Sequence, residues 1–190
     1  MIPDLPNVSD PAMTAELLQP YNRVKVPLKD YARGGMALLD SSRGLNQKNW
    51  ACEVQNGEVF LSADGVAATS VYDVDPDTSW ISLAFDQNMH FNLAYVVGRV
   101  GYLYWYDAAS QRYVTTNLGS VVTPFIRLDD VRLYMEGYSD IILSYIVNEA
   151  LCVRVQRDRF SVEYVLARNA GTKIEQCGMN RVNRFQWNCG

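Results

Sequence analysis

Two stretches of this chain follow one plan, and that repetition limits the folds open to it. Leu93-Ala94-Tyr95-Val96-Val97 sets over Leu143-Ser144-Tyr145-Ile146-Val147. A strand ending in acid precedes each, Phe85-Asp86 in one case and Leu128-Asp129-Asp130 in the other. After each come a tight turn, a strand, a polar loop carrying Arg and an aromatic (Tyr113, Phe160), and a closing strand. Each unit, about 80–118 and 122–166, reads as four antiparallel strands, the make-up of a β-propeller blade. Residues 50–72 read as the last three strands of a third unit, with Asn56-Gly57 and Asp64-Gly65 as hairpin turns.

The faces of these strands say how the units pack. Ile141, Leu143, Tyr145 and Val147 point one way, and Ile142, Ser144 and Ile146 the other. A strand apolar on both faces is covered on both, and blades stacked face to face supply such covers. The predicted class is all-β: antiparallel four-stranded blade-like repeats, an incomplete propeller or sandwich, with little helix. A closed propeller takes at least about four blades. The units must therefore stack as an open wedge or be completed by other subunits.

Residues 1–49 read as an extended arm and loop region. Three Pro fall in the first 13 residues. The stretch "TAELLQ" (14–19) can make a turn or two of helix capped by Thr14, and "RVKVPL" suits an edge strand. Residues 30–49, rich in Gly, Ser, Asn and Asp, read as loop. Residues 50–190 read as the β-rich domain, closing with strands in "TKIEQC" and "NRFQWN". The start lacks the basic and apolar regions of a secretory leader. No run reaches the ~18 apolar residues of a membrane span, so the chain reads as soluble and made in the cytoplasm.

The chemistry expected from the residues is thin. His90 is the only His, which argues against zinc and marks it as a polar loop residue. Asp73, Asp75 and Asp77 have calcium-loop spacing, but Thr78 and Ala84 stand where an EF-hand needs Gly and Glu. A turn capped by Asp side chains is the expected role. Asp129 and Asp130 are adjacent and face opposite ways on a strand. Cys52 and Cys152 sit in strand-like runs as small core residues, and Cys189 can cross-link only if the terminus is pinned. No catalytic set and no cofactor is expected.

Composition points to surfaces instead. Thirteen of the 17 basic residues are Arg, and there are 12 Tyr and 4 Trp, the types enriched at interfaces. The net charge of −4 does not predict a free-standing nucleic-acid binder. From residue 151 onward seven Lys or Arg meet three Asp or Glu. Arg154, Arg157, Arg159, Arg181 and Arg184 are the candidate interface residues on this basic side, with Arg157 and Arg159 on one face if their strand continues. They read as a basic C-terminal quarter that meets an acidic partner surface.

The stretch "SDIILSYIVNEALCVRVQRDRFSVEYVLA", followed by "KIEQCGMNRVNRFQWN", resembles small β-rich virion components of tailed bacteriophages. The resemblance implies a non-enzymatic structural protein of the tail or neck, nozzle- or collar-like, with β-propeller-like blades. It implies a homo-oligomeric ring that extends or seals the DNA channel or anchors fibres. Other tail or neck proteins, and DNA in the channel, are the implied partners. Two other readings stay open. A glycan-binding or sialidase-like module would use aromatics such as Tyr102, Tyr104, Trp105 and Tyr106, and "LSADG" (61–65) is similar to a sialidase Asp-box. A capsid decoration protein is the other.

Overall fold

Asn56 and Gly57 both take positive φ (52° and 87°) and join two strands as a two-residue hairpin, Gln55 opposite Glu58. Gly98 takes φ 61° between Val97 and Val100. Asn148 and Glu149 take 49° and 60° between Val147 and Ala150. Three two-residue hairpins with φ in the mirror-image turn region thus recur, the geometry that matches strand twist. Gly57 also lies against Val74 and Pro76, so a side chain there would crowd the next loop as well as strain the turn.

The computed structural model describes residues 34–40, 47–63, 66–86, 88, 90–128, 140–179 and 185–190. Among the described residues the strands form three four-stranded antiparallel sheets and one two-stranded sheet, with no α-helix. Sheet 1 holds β1 (Gly34–Asp40), β2 (Gln47–Gln55), β3 (Glu58–Ala63) and β4 (Val66–Asp73), in that order. Sheet 2 holds β5 (Thr78–Phe85), β6 (Phe91–Val97), β7 (Val100–Asp107) and β8 (Arg112–Ser120). Sheet 3 holds β9 (Phe125–Leu128), β10 (Ile141–Val147), β11 (Ala150–Val155) and β12 (Tyr164–Ala167). The last two strands, β13 (Ile174–Met179) and β14 (Phe185–Cys189), pair with each other.

The first strands adjoin, β1 beside β5 and β5 beside β9, and each sheet runs outward to its last strand. This is the blade arrangement, and its core lies between the sheets. Cys52, Val54, Val59 and Leu61 of sheet 1 meet Ile81, Leu83, Leu93 and Tyr95 of sheet 2. The opposite face of sheet 2, through Ala94, Leu103 and Trp105, meets Ile126, Ile141, Leu143, Tyr145 and Phe160 of sheet 3. The far face of sheet 3, at Phe125, Ile146 and Leu151, is covered by Ile174 and Cys177 of the hairpin, with Phe185, Trp187 and Cys189 packed on. Sheets 2 and 3 are therefore covered on both faces, which accounts for strands such as Phe91–Val97 carrying buried residues five in a row. Burying each such Leu or Ile contributes about 1.5–3 kcal/mol.

The hairpin also ends the stack. Gln176, Gln186 and Asn188 face outward and are exposed. Gly190 closes against the preceding loop, its carbonyl accepting the Thr172 and Lys173 amides and its amide donating to Lys173. The terminus is thus pinned, yet all four cysteines are free thiols. Cys52 and Cys152 are core residues, as expected.

Two features differ from the sequence reading. Residues 34–40, taken as loop, form β1, so the third unit has all four strands and the β domain reaches back to Gly34. Gly34-Gly35 and Asp40 gave that segment the look of a loop, but its full-length pairing with β2 decides. Second, the strand that carries Arg154 stops at Val155. A 3₁₀ turn over Gln156–Asp158 follows, then Arg159 and Phe160, both at φ 53°. Arg157 and Arg159 therefore do not share a strand face. The expected arm (1–13), helical turn (14–19), edge strand (23–28), Asp64-Gly65, Asp129, Asp130, Arg181 and Arg184 lie outside the described residues. No helix among the described residues is long and apolar enough to cross a membrane.

Candidate functional site

Three buried carboxylates gather where sheets 2 and 3 meet: Asp86 after β5, Asp107 ending β7 and Asp140 before β10. A buried charge is tolerated only when paired and hydrogen-bonded, and each of these is. Asp86 Oδ1 accepts the Asn88 and His90 amides (both 2.9 Å), and Oδ2 meets His90 Nδ1 (3.1 Å) and Gln156 Nε2 (3.3 Å). Asp107 Oδ2 accepts from Ser110 Oγ (2.7 Å) and Arg159 Nη2 (2.6 Å). Asp140 accepts the Arg157 amide (2.9 Å) and the Arg157 Nε. The Ser110 hydroxyl, with Arg159 and the Ala109 amide, holds the Asp107 carboxyl below the usual carboxylate range.

Two of these bonds cross between sheets. Gln156 and Arg159 belong to the turn after β11, while Asp86 and Asp107 belong to sheet 2. The repeat explains the layout. Set over each other through Leu93 and Leu143, His90 matches Asp140 and Asp107 matches Arg157. In sheet 3 these positions make one ion pair; in sheet 2 they line a cleft of about 260 Å³, walled by Tyr106, Gln156 and Arg159. His90 lies flat on Tyr106, centroids 3.7 Å apart. The cleft offers a His–Asp pair, and its described lining residues include no Ser, Thr or Cys.

Of the predicted interface arginines, the three that are described have partners within their own chain. Arg154 Nε donates to Tyr145 Oη (2.7 Å), and Arg154 also meets Glu163 (3.4 Å) and the Phe160 carbonyl (3.2 Å). Arg157 serves Asp140 and Arg159 serves Asp107. The structure thus brings Arg154, Arg157 and Arg159 to one region, each against its own carboxylate. Arg157 and Arg159 remain more than half exposed, at 61% and 62% of their side chains.

Arg154, Tyr145 and Glu163 form a hydrogen-bonded group of their own. Tyr145 Oη donates to Glu163 at 2.5 Å. Tyr145 has no exposed surface, however, and burial together with that bond pushes its hydroxyl well above the usual phenol range. A substrate cannot reach it, and it stays protonated. The grouping fastens the segment before β12 to the sheet.

The aromatics behave alike. Tyr104 stacks on Tyr72 (3.8 Å) and on Tyr113 (4.9 Å), and Tyr113 stacks on Phe91 (4.9 Å). Tyr95 stacks on Tyr102 (5.3 Å), and Trp105 is buried with Phe160 against it edge-on. Ring faces spent on other rings are not offered to a sugar. Burial among these rings pushes Tyr113 up to about 12. The Asp73–Asp77 stretch is an Asp-capped turn, with Asp75 Oδ1 accepting the Asp77 amide (2.8 Å). No cluster suited to a metal ion occurs among the described residues.

What the sequence reading missed is the surface of β12. All four of its residues are exposed. Among the described residues five large apolar side chains are exposed, and Val162, Tyr164, Val165 and Leu166 are four of them. The outer strand of sheet 1 shows Ala67, Ala68, Thr69, Ser70 and Asp73 at its exposed positions, and that of sheet 2 shows Arg112, Thr115, Asn117, Gly119 and Ser120. The run "VEYVL" was the available signal, but only the uncovered position of β12 separates it from a core strand. Comparison with family models, with curated proteins and with solved structures finds no match to this chain.

Proposed function

We propose that this chain is a non-enzymatic structural subunit of a tailed-bacteriophage virion, one copy in a ring of the tail or neck. On this reading it extends or seals the DNA channel or anchors fibres. Its partners are further copies of itself, other tail or neck proteins, and DNA in the channel. The observation that carries the reading is β12, a strand with large apolar side chains uncovered on both faces at the open edge of its sheet. An exposed apolar edge of this kind marks a contact surface in proteins that stay soluble.

Two further points support it. The acids and bases that a reaction would need are spent on one another at the seam. The resemblance of residues 139–167 and 173–188 to phage virion components supplies the kind of assembly. Arg157 and Arg159 are more than half exposed, and residues of that kind suit the polar rim of a contact. Light scattering on the purified full chain tests the reading. The expected mass is a multiple of 21.5 kDa; a single-chain mass throughout the micromolar range contradicts it.

A further inference from the structure

We infer that the cleft between sheets 2 and 3 binds a small oxyanion, a carboxylate or a phosphate group, with Arg159 as its main ligand. The inference goes beyond the assembly reading and does not depend on it. Its first ground is a count of hydrogen-bonding capacity. The carboxylates of the lining are turned inward and spent. Asp86 accepts four bonds. Asp107 accepts three, from Ala109, Ser110 and Arg159. Gln156 is engaged at both ends, its Nε2 on Asp86 and its Oε1 on the Ile141 amide (3.3 Å). The side chains of Asp86 and Asp107 are 4% and 3% exposed, and that of Arg159 is 62% exposed. The anions therefore lie behind and the cation in front. Arg159 gives Nη2 to Asp107, while its Nε and Nη1 have no partner among the described residues. A guanidinium only donates, so an acceptor is what this wall lacks, and charge-assisted bonds favour an anionic one.

The second ground is how firmly Arg159 is held. Arg159 and Phe160 both stand at φ 53°, in the left-handed region that costs energy at residues with side chains. The Gln156 carbonyl accepts the Arg159 amide (2.7 Å), and the Val155 carbonyl accepts the Phe160 amide (3.0 Å). The Phe160 ring is buried against Trp105. With its backbone fixed and one nitrogen on a buried carboxylate, Arg159 has little freedom left to lose when a ligand binds.

The third ground is the repeat. In sheet 3 Asp140 and Arg157 close on each other. The matching positions in sheet 2 are His90 and Asp107, and Asp107 takes its cation from the next sheet instead. The space between them stays open as the cleft of about 260 Å³. Pockets for drug-sized molecules run from about 300 Å³ upward, so this one suits a smaller group. A carboxylate only accepts, so His90 meets Asp86 through a hydrogen on Nδ1, and its Nε2 has no partner among the described residues. The ring lines the cleft and senses what sits there.

His90 is the only His of the chain, so its ring signals in a proton–carbon NMR spectrum of the untagged full chain report on the cleft alone. The probes are sodium phosphate and, separately, sodium acetate, added in Tris buffer at fixed pH with chloride balancing the ionic strength. At least one should move the His90 signals along a saturable curve, with Kd about 1 mM or tighter. Saturation by phosphate alone assigns a phosphate ligand, and saturation by acetate alone a carboxylate. Arg159→Gln should weaken that binding about 10-fold or more, through the lost charge-assisted donors. Ala108 is exposed and lines the cleft. Ala108→Glu adds a carboxylate there without removing any of the bonds of Asp86, Asp107 or Arg159, and should abolish saturation. Arg99 is exposed in the turn between β6 and β7, and Arg99→Gln should bind as the original does. A linear drift with both anions in the original chain overturns the proposal. So does unchanged binding in Ala108→Glu, which decides the matter if Arg159→Gln fails to fold. Equal weakening in Arg99→Gln and Arg159→Gln would mean a response to overall charge and also overturns it.

Discussion

Asp107 shows what a single residue at the seam contributes. It is buried, it ends β7, and it receives Ser110 from its own loop and Arg159 from the neighbouring sheet. Its carboxyl is held below the ordinary value of 3.8, first by the Ser110 hydroxyl and then by Arg159. A carboxyl depressed on folding adds stability above its unfolded pKa, and loses it as pH falls through the lower folded value. Asp107→Asn should therefore be less stable than the original near neutral pH and lose less on acidification from ~pH 5 to ~pH 2. Thermal transitions measured across that range check it. Equal acid losses in the two proteins would mean that Asp107 carries no linked charge. Tyr113, pushed up to about 12 by burial, has the opposite sense: its contribution is present below the unfolded value of 10.0 and is lost as pH rises beyond it.

At the level of the elements, packing depends on a few close approaches. Gly101 in β7 leaves no room for a Cβ, which would overlap the Val121 side chain. Val121 is buried in the cluster between sheets 2 and 3. Gly101→Ala should cost about 1–3 kcal/mol through overpacking, and adding Val121→Ala should return part of it. Denaturant unfolding of the single and double variants measures this, and simple additivity would place the two residues out of contact. The strands themselves were legible in the sequence because strand period and turn chemistry act locally. Asn56-Gly57 and the paired runs at Leu93 and Leu143 fixed the hairpins without knowledge of neighbours. β1 was not legible, because its Gly-rich composition is overridden by pairing with β2, which local composition does not show. The seam was half legible. The strand-ending Asp86 was noted, but Gln156 reaches it only because the chain leaves β11 as a 3₁₀ turn. That turn, with Arg159 and Phe160 in the left-handed region, also ended the expected shared face of Arg157 and Arg159.

Over the whole molecule, the repeat answers the question of burial that a single blade cannot. Sheet 2 is covered by sheets 1 and 3, and sheet 3 by sheet 2 and the polar-backed hairpin. Terminal caps with polar outer faces are what keep stacked repeats soluble. Against that background the uncovered flange at β12 is the exception, and it lies at the outer edge rather than at an end of the stack. Among the described residues the stack is thus covered by the hairpin on the far face of sheet 3 and shows an apolar edge at β12, suited to docking beside identical or different neighbours. The claim that this edge serves a virion is tested most directly by quantitative mass spectrometry of purified phage particles from the genome encoding this chain. The account predicts that the chain is present at a low, fixed number of copies per particle, set by tail or neck symmetry. Its absence from particles, while it is abundant in the infected cell, would contradict the account.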